Sequence, residues 1–146
     1  MKSRLSLIFC CLFTSGLLAQ EIEAFPKGDL APNVHHTGKV WLNFLSQAND
    51  HFPYNMVLAT MEAGAKLDWH RHEKGQQLVV TAGIGFYQER GKEKVILKAG
   101  DIMRCSPGTT HWHGASEDQE MVHLAMTPTR EVVWLEAVSD EVYTDE

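Results

Sequence analysis

From Val40 onward, apolar residues gather in short runs, and the breaks between runs fall at Gly, Pro, Asn and Asp. The runs predict strands at Val40–Leu45, Tyr54–Glu62, Leu67–His72, Gln77–Arg90, Lys94–Lys98, Asp101–Ser106, His111–Gly114 and Met121–Met126. Val, Ile, Leu, Phe and Tyr are frequent in them and suit a pleated, half-buried backbone. Glu89-Arg90-Gly91-Lys92 predicts a hairpin tip, because a turn composition separates two apolar runs. Before Thr129 no stretch sustains the three-and-four apolar spacing of a helix. Many short strands at close spacing predict an all-β sandwich or small barrel. Residues 20–39, with Pro26, Gly28 and Pro32, read as an extended N-terminal arm. Glu131–Tyr143 reads as a short closing element, helix or strand, and the domain proper spans 40–146.

The first 19 of the 146 residues have a different character. Lys2 and Arg4 precede an almost wholly apolar stretch, Leu5 to Leu18, which ends at Ala19. That layout predicts a secretory signal peptide, cut after Ala19, and an exported protein in the periplasm or outside the cell. The stretch is too short to favour a membrane span, which needs about 20 apolar residues. Without Lys2 and Arg4 the chain keeps 11 of its 13 basic residues against 19 acidic ones, a net charge of −8. No basic patch is left to attract phosphate backbones, so nucleic-acid binding is not expected. Of the cysteines, Cys105 alone lies beyond the leader, so the mature chain has no internal disulfide. It is expected to act as a small buried hydrophobe.

The candidate chemistry lies in Trp69-His70-Arg71-His72-Glu73-Lys74-Gly75-Gln76. Side chains repeat every two residues on a strand, so His70 and His72 share a face. Imidazole is the commonest metal ligand, and His111 and His113 offer further donors. Gly64, five residues, His70-x-His72, three residues, Gln76, six residues and Gly83 form one motif. Gly100, five residues, Ser106-Pro107-Gly108, two residues, His111 form a second.

These motifs resemble those of the cupins, which carry Gly-x5-His-x-His with a later Glu, then Gly-x5-Pro-x-Gly-x2-His with a later Asn. This chain departs from them at Gln76, where Glu is usual, at Ser106, where Pro is expected, and at Ala115, where Asn would stand. The resemblance implies a single-domain jelly-roll β-barrel with its ligands at one mouth. It narrows to the small bacterial cupins with hydroxynitrile lyase activity, on Trp69-His70-Arg71-His72, Gly75-Gln76, Thr81-Ala82-Gly83, His111-Trp112-His113-Gly114-Ala115 and His123-Leu124-Ala125. The same pattern occurs in cupins associated with carboxymuconolactone decarboxylases.

That likeness implies a divalent ion, manganese first and iron, nickel or zinc as alternatives, held by His70, His72, Gln76 and His111. Gln77 is the rival of Gln76, since Gly75 could reset the alternation. His123 is implied as the acid or base, with His113 either a hydrogen-bonding or a proton-carrying neighbour. A neutral three-His-one-Gln set leaves the ion's charge uncompensated and favours a developing oxyanion. It also differs from the two-His-one-carboxylate set of many iron oxygenases. The expected activity is that of a metal-dependent lyase on a small polar molecule. The alternatives are an isomerase, decarboxylase or dioxygenase on an aromatic- or sugar-acid product, and a non-catalytic ligand-binding module. Homodimers or higher homo-oligomers are expected by the same likeness. Trp69 and Trp112 are expected to pack on the face opposite the ligands, His35-His36 to lie on the surface, and Asp140–Glu146 to be a solvated end.

Overall fold

A computed structural model describes residues 25–144; the predicted signal peptide and its cleavage point lie outside them. The predicted strands form, with shifted ends. They are β1 (Asp29–Leu30), β2 (His36–Thr37), β3 (Val40–Ser46), β4 (Asn55–Met61), β5 (Lys66–Leu67), β6 (His70–Arg71), β7 (Gln76–Glu89), β8 (Val95–Lys98), β9 (Ile102–Cys105), β10 (His111–Ala115), β11 (Met121–Thr127) and β12 (Val133–Trp134). A helix, α1 (Asp140–Thr144), follows. All pairings are antiparallel, as expected of a jelly roll.

The long strand β7 joins two curled sheets. Its first half pairs with β11 and β9, continuing through β4 and β3 to β1. Its second half pairs with β10 and β8, and β10 leads on through β5 to β2. The change of sheet falls at Gly83-Ile84-Gly85. Gly83 has a φ of 73°, and a Cβ there would run into the Glu120 carbonyl. A Cβ at Gly85 would strike Met121 and the Gly114 carbonyl. Side-chain-free positions therefore let β7 turn the corner while two neighbouring strands close against it.

The expected hairpin tip follows β7, where Lys92 N–H bonds the Glu89 carbonyl at 3.0 Å. The continuous strand expected at Leu67–His72 is instead two short pieces. Asp68 N–H bonds the His35 carbonyl and Trp69 N–H bonds the Glu136 carbonyl, so both leave the ladder there. The arm is likewise not free: β1 pairs with β3, and β2 with β5. The closing element is both things at once, strand β12 and then helix α1.

Strand β10 is buried along its whole length, which an alternating strand on one sheet face would not be. His111, His113 and Ala115 face the barrel interior, and Trp112 faces out. There Trp69, Val138 and Tyr143 cover it, as expected for packing tryptophans. Tyr143 Oη donates to the Ala115 carbonyl at 2.8 Å, and buried Lys66 reaches Asp140 at 2.9 Å. The described part of the acidic end is therefore a cover over the sheet rather than wholly a solvated tail. Inside, Met61, Leu78, Val80, Tyr87, Leu97 and Met121 fill one part of the barrel. Small residues such as Ala59 and Ala125 leave the other part open.

Candidate metal centre

Buried histidines from four neighbouring segments meet in the open part of the barrel. His70 comes from β6, His72 from the turn after it, His111 and His113 from β10, and His123 from β11; none is more than 5% exposed. The His70 and His111 rings lie 4.3 Å apart, His70 and His72 5.3 Å, and His72 and His111 5.8 Å. His113 stands 5.4 Å from His70 and edge-on to His123 at 5.0 Å. One ring nitrogen each of His70, His111 and His113 falls within a 4.8 Å group. His113 thus belongs to the tightest cluster, beside the expected ligands.

The turn between His72 and Gln76 is fixed by its backbone. Gly75 N–H and Gly108 N–H both bond the His72 carbonyl, at 3.1 and 2.9 Å. Gly75 has a φ of 79°, and a Cβ there would press on the Cys105 carbonyl. This turn sends the Gln76 amide inward, where its Oε1 lies 3.1 Å from His111 Nε2. Gln77 lines only a second groove, with Lys74 and Arg104, which Gln76 also borders. Of the two glutamines, Gln76 is the one that faces the histidines.

His123 is aimed by an irregularity. Against β7, the pairing jumps from Val122↔Ala82 to His123↔Val80, leaving Thr81 as an extra residue. Such a bulge re-aims the side chains beside it. Thr81 Oγ1 bonds the Val122 carbonyl across the irregularity at 3.2 Å.

The donor atoms suit a cation. His70 Nδ1 faces the Asp68 carbonyl at 2.8 Å, and His111 Nδ1 faces the Thr109 carbonyl at 3.1 Å. A carbonyl can only accept, so both Nδ1 atoms carry the proton and both Nε2 atoms present lone pairs. Gln76 Oε1 and His111 Nε2 are then two acceptors facing each other. Neither ring nitrogen of His113 has a hydrogen-bond partner among the described residues, nor does His123 Nδ1, and His72 has only the Glu131 backbone near it, without good hydrogen-bond geometry. Buried polar atoms are ordinarily paired, so this concentration of orphans fits a bound ion or a polar ligand.

The electrostatics agree. Burial depresses His72 and His123 to about 4, with His111 adding to the effect at His72. Burial, followed by the neighbouring imidazoles, holds His70 and His113 well below the usual imidazole range, and burial lowers His111. All five are neutral at pH 7 and free to act as lone-pair donors.

Two residues make contacts that the sequence did not foretell. Cys105 is buried as expected, but its Sγ also lies 3.1 Å from His111 Nδ1, behind the cluster. His35 is exposed, as expected, and its ring also lies flat on Trp134 with ring centroids 4.7 Å apart. Trp134 in turn packs 5.0 Å from His70. The pair could not be found from local spacing, because 99 positions of chain separate its members.

The resulting cavity holds about 330 Å³. His70, His72, Gln76, His113 and His123 line its polar end, and Val40, Leu42, Val57, Ala59, Leu67 and Ala125 line its apolar walls. Among the described residues, its lining includes no Asp, Glu, Lys or Arg.

Residues 57–127 match the Cupin domain family. The chain is 41% identical over 110 residues to an (R)-mandelonitrile lyase of Granulicella tundricola, covering 73% of this chain and 84% of that one. Its fold superposes on a cupin-like protein of Thermotoga maritima with a TM-score of 0.80 and 38% identity, covering 85% of this chain and 96% of the other. A DMSP lyase of Ruegeria pomeroyi shares the fold alone, at a TM-score of 0.59 and 17% identity, over 69% of this chain and 54% of that one.

Proposed function

The chain belongs to the cupin family, and on that premise we propose that it is a metal-dependent lyase that cleaves or forms the carbon–carbon bond of a small hydroxynitrile. The observation that carries this reading is a buried set of neutral donors in a cavity that, among the described residues, no Asp, Glu, Lys or Arg lines. His70, His72, Gln76 and His111 would hold the ion, manganese first among the candidates. The ion would supply Lewis acidity toward a substrate hydroxyl or carbonyl oxygen.

The chain's own residues account for the rest. The apolar walls would exclude water and hold the carbon skeleton. His123, neutral at pH 7, would accept the hydroxyl proton on a ring nitrogen. As that proton leaves, the oxygen forms the second bond of the new carbonyl and the electron pair of the C–CN bond departs with cyanide. The imidazolium then returns its proton to cyanide, giving an aldehyde and hydrogen cyanide. His113, edge-on to His123, would orient that ring. The similarity to a relative named for mandelonitrile supports the class of reaction.

An aromatic- or sugar-acid substrate finds less support, because among the described residues no Lys or Arg lines the cavity to pair with its carboxylate. The experiment is direct: load the protein with manganese and follow aldehyde release from mandelonitrile. Absence of turnover with either manganese or iron sinks the lyase reading, and tight binding of a small acid without turnover would replace it with a binding module. We further propose that the protein is exported, which cell fractionation tests.

A further inference from the structure

His35 is the one non-glycine residue with a positive φ among the described residues, at 61°. Glycine would take this backbone conformation freely, whereas a side chain takes it at a cost that surrounding contacts must offset. Three contacts do so. Asp68 N–H bonds the His35 carbonyl at 3.0 Å. The Asp68 carboxylate lies 3.5 Å from His35 Nδ1. The imidazole lies parallel to the Trp134 indole, within 4°. The neighbouring His36 is different in kind: both its ring nitrogens meet backbone carbonyls of the arm, those of Gly38 and Pro32. Both histidines line the cavity, but the His36 ring is tied to the arm backbone, while the His35 ring stacks on Trp134, which lines it too. The His35 side chain is 46% exposed, so the pair stands at the solvent end, opposite buried His113 and His123.

We propose that His35 is a specificity-determining residue, whose ring forms with Trp134 an aromatic wall that seats a flat, apolar ring of the substrate. The strained backbone is the cost of placing a ring, rather than a glycine, over the entrance. This rests on the hydroxynitrile reading, whose test substrate already carries an arene, and adds to it the residue that would seat that ring. Two stacked rings offer a third ring both an edge and a face, the geometry that aromatic groups prefer.

The test is equilibrium binding, independent of turnover. Benzaldehyde and acetaldehyde are titrated calorimetrically into the manganese-loaded full chain and into His35→Ala, His35→Gly and His35→Phe. The preference for benzaldehyde should fall about fivefold to tenfold in His35→Ala and His35→Gly and stay within about twofold in His35→Phe. The glycine variant relaxes the backbone, so its thermal midpoint separates loss of the ring from loss of the fold. No preference for benzaldehyde in the unaltered protein overturns the proposal. So does an unchanged preference in both small variants, or an equal fall in His35→Phe. A protein that shows the predicted binding pattern but no cyanohydrin turnover keeps this assignment and loses the lyase reading. Turnover without the binding pattern does the reverse.

Discussion

Gln76 Oε1 and His111 Nε2 face each other at 3.1 Å with a lone pair on each, because the His111 proton is held on Nδ1 by the Thr109 carbonyl. A cation between or beside them turns this opposition into shared coordination. The neutrality of the amide then matters, and Gln76→Glu tests it. The variant should bind manganese at least as tightly, since a carboxylate adds attraction. Its turnover should fall by about tenfold or more, because the added charge weakens the pull on substrate oxygen. Metal content and kcat, measured together, check both halves.

Metal retention also separates the histidines. His70→Ala and His111→Ala should each lower bound manganese by about tenfold to a hundredfold in affinity or more, the loss expected when the shell around an ion is breached. His72→Ala should do the same, while His113→Ala keeps the ion. The opposite ranking would move the ion inward, to the 4.8 Å group of His70, His111 and His113. Equal metal in every variant would remove the centre altogether.

For His123→Ala the expectation is a protein with its full metal content and a turnover lower by about a hundredfold or more, the usual worth of a positioned acid or base. Unimpaired turnover would shift the proton to another group, and His113 is the nearest imidazole to His123, at 5.0 Å.

Acid should unfold the metal-free protein early. Burial holds folded His123 at about 4, against an ordinary value of 6.5. Between these values the unfolded chain binds a proton that the folded chain refuses, so this contribution is intact above pH 6.5 and falls as pH drops toward 4. For His123 alone, stability should fall by about 2–3 kcal/mol between pH 7.5 and pH 4.5. The other depressed histidines act in the same direction. Urea unfolding at the two pH values measures the slope, and His123→Leu should flatten it.

Gly83→Ala should cost at least about 2 kcal/mol, since a left-handed φ and a clash with the Glu120 carbonyl coincide at one position. A drop in the thermal midpoint of several degrees is the expected sign.

Much of this arrangement was legible in the chain. Fixed spacings carried His70, His72, Gln76 and His111, and alternation alone placed His111 and His113 on one face with Trp112 on the other. The choice between Gln76 and Gln77 was open because it depends on the turn at Gly75, and a turn's exit direction is set by the Cys105 backbone across from it. The bulge at Thr81 left no trace in periodicity, since it is a property of two strands in register. His35 is on the surface as expected, but its stacking on Trp134 was hidden for a similar reason: the two meet only once the closing strand comes back beside the arm.

Strand β7 belongs to both sheets, with Gln76 at its start and the strands of His111 and His123 paired along its two halves. Gln76, His111 and His123 therefore hang from a common spine. A fluctuation that parts these three must also separate the sheets, so their geometry should persist up to global unfolding, whereas His70 and His72 sit on a two-residue strand and the turn after it. The rim is built otherwise, from an arm strand and a closing strand of two residues each. Changes to the arm strand leave the spine intact, whereas changes to β12 reach His70 through its pairing with β6, so the choice of substrate is freer to drift on one side of the rim than on the other.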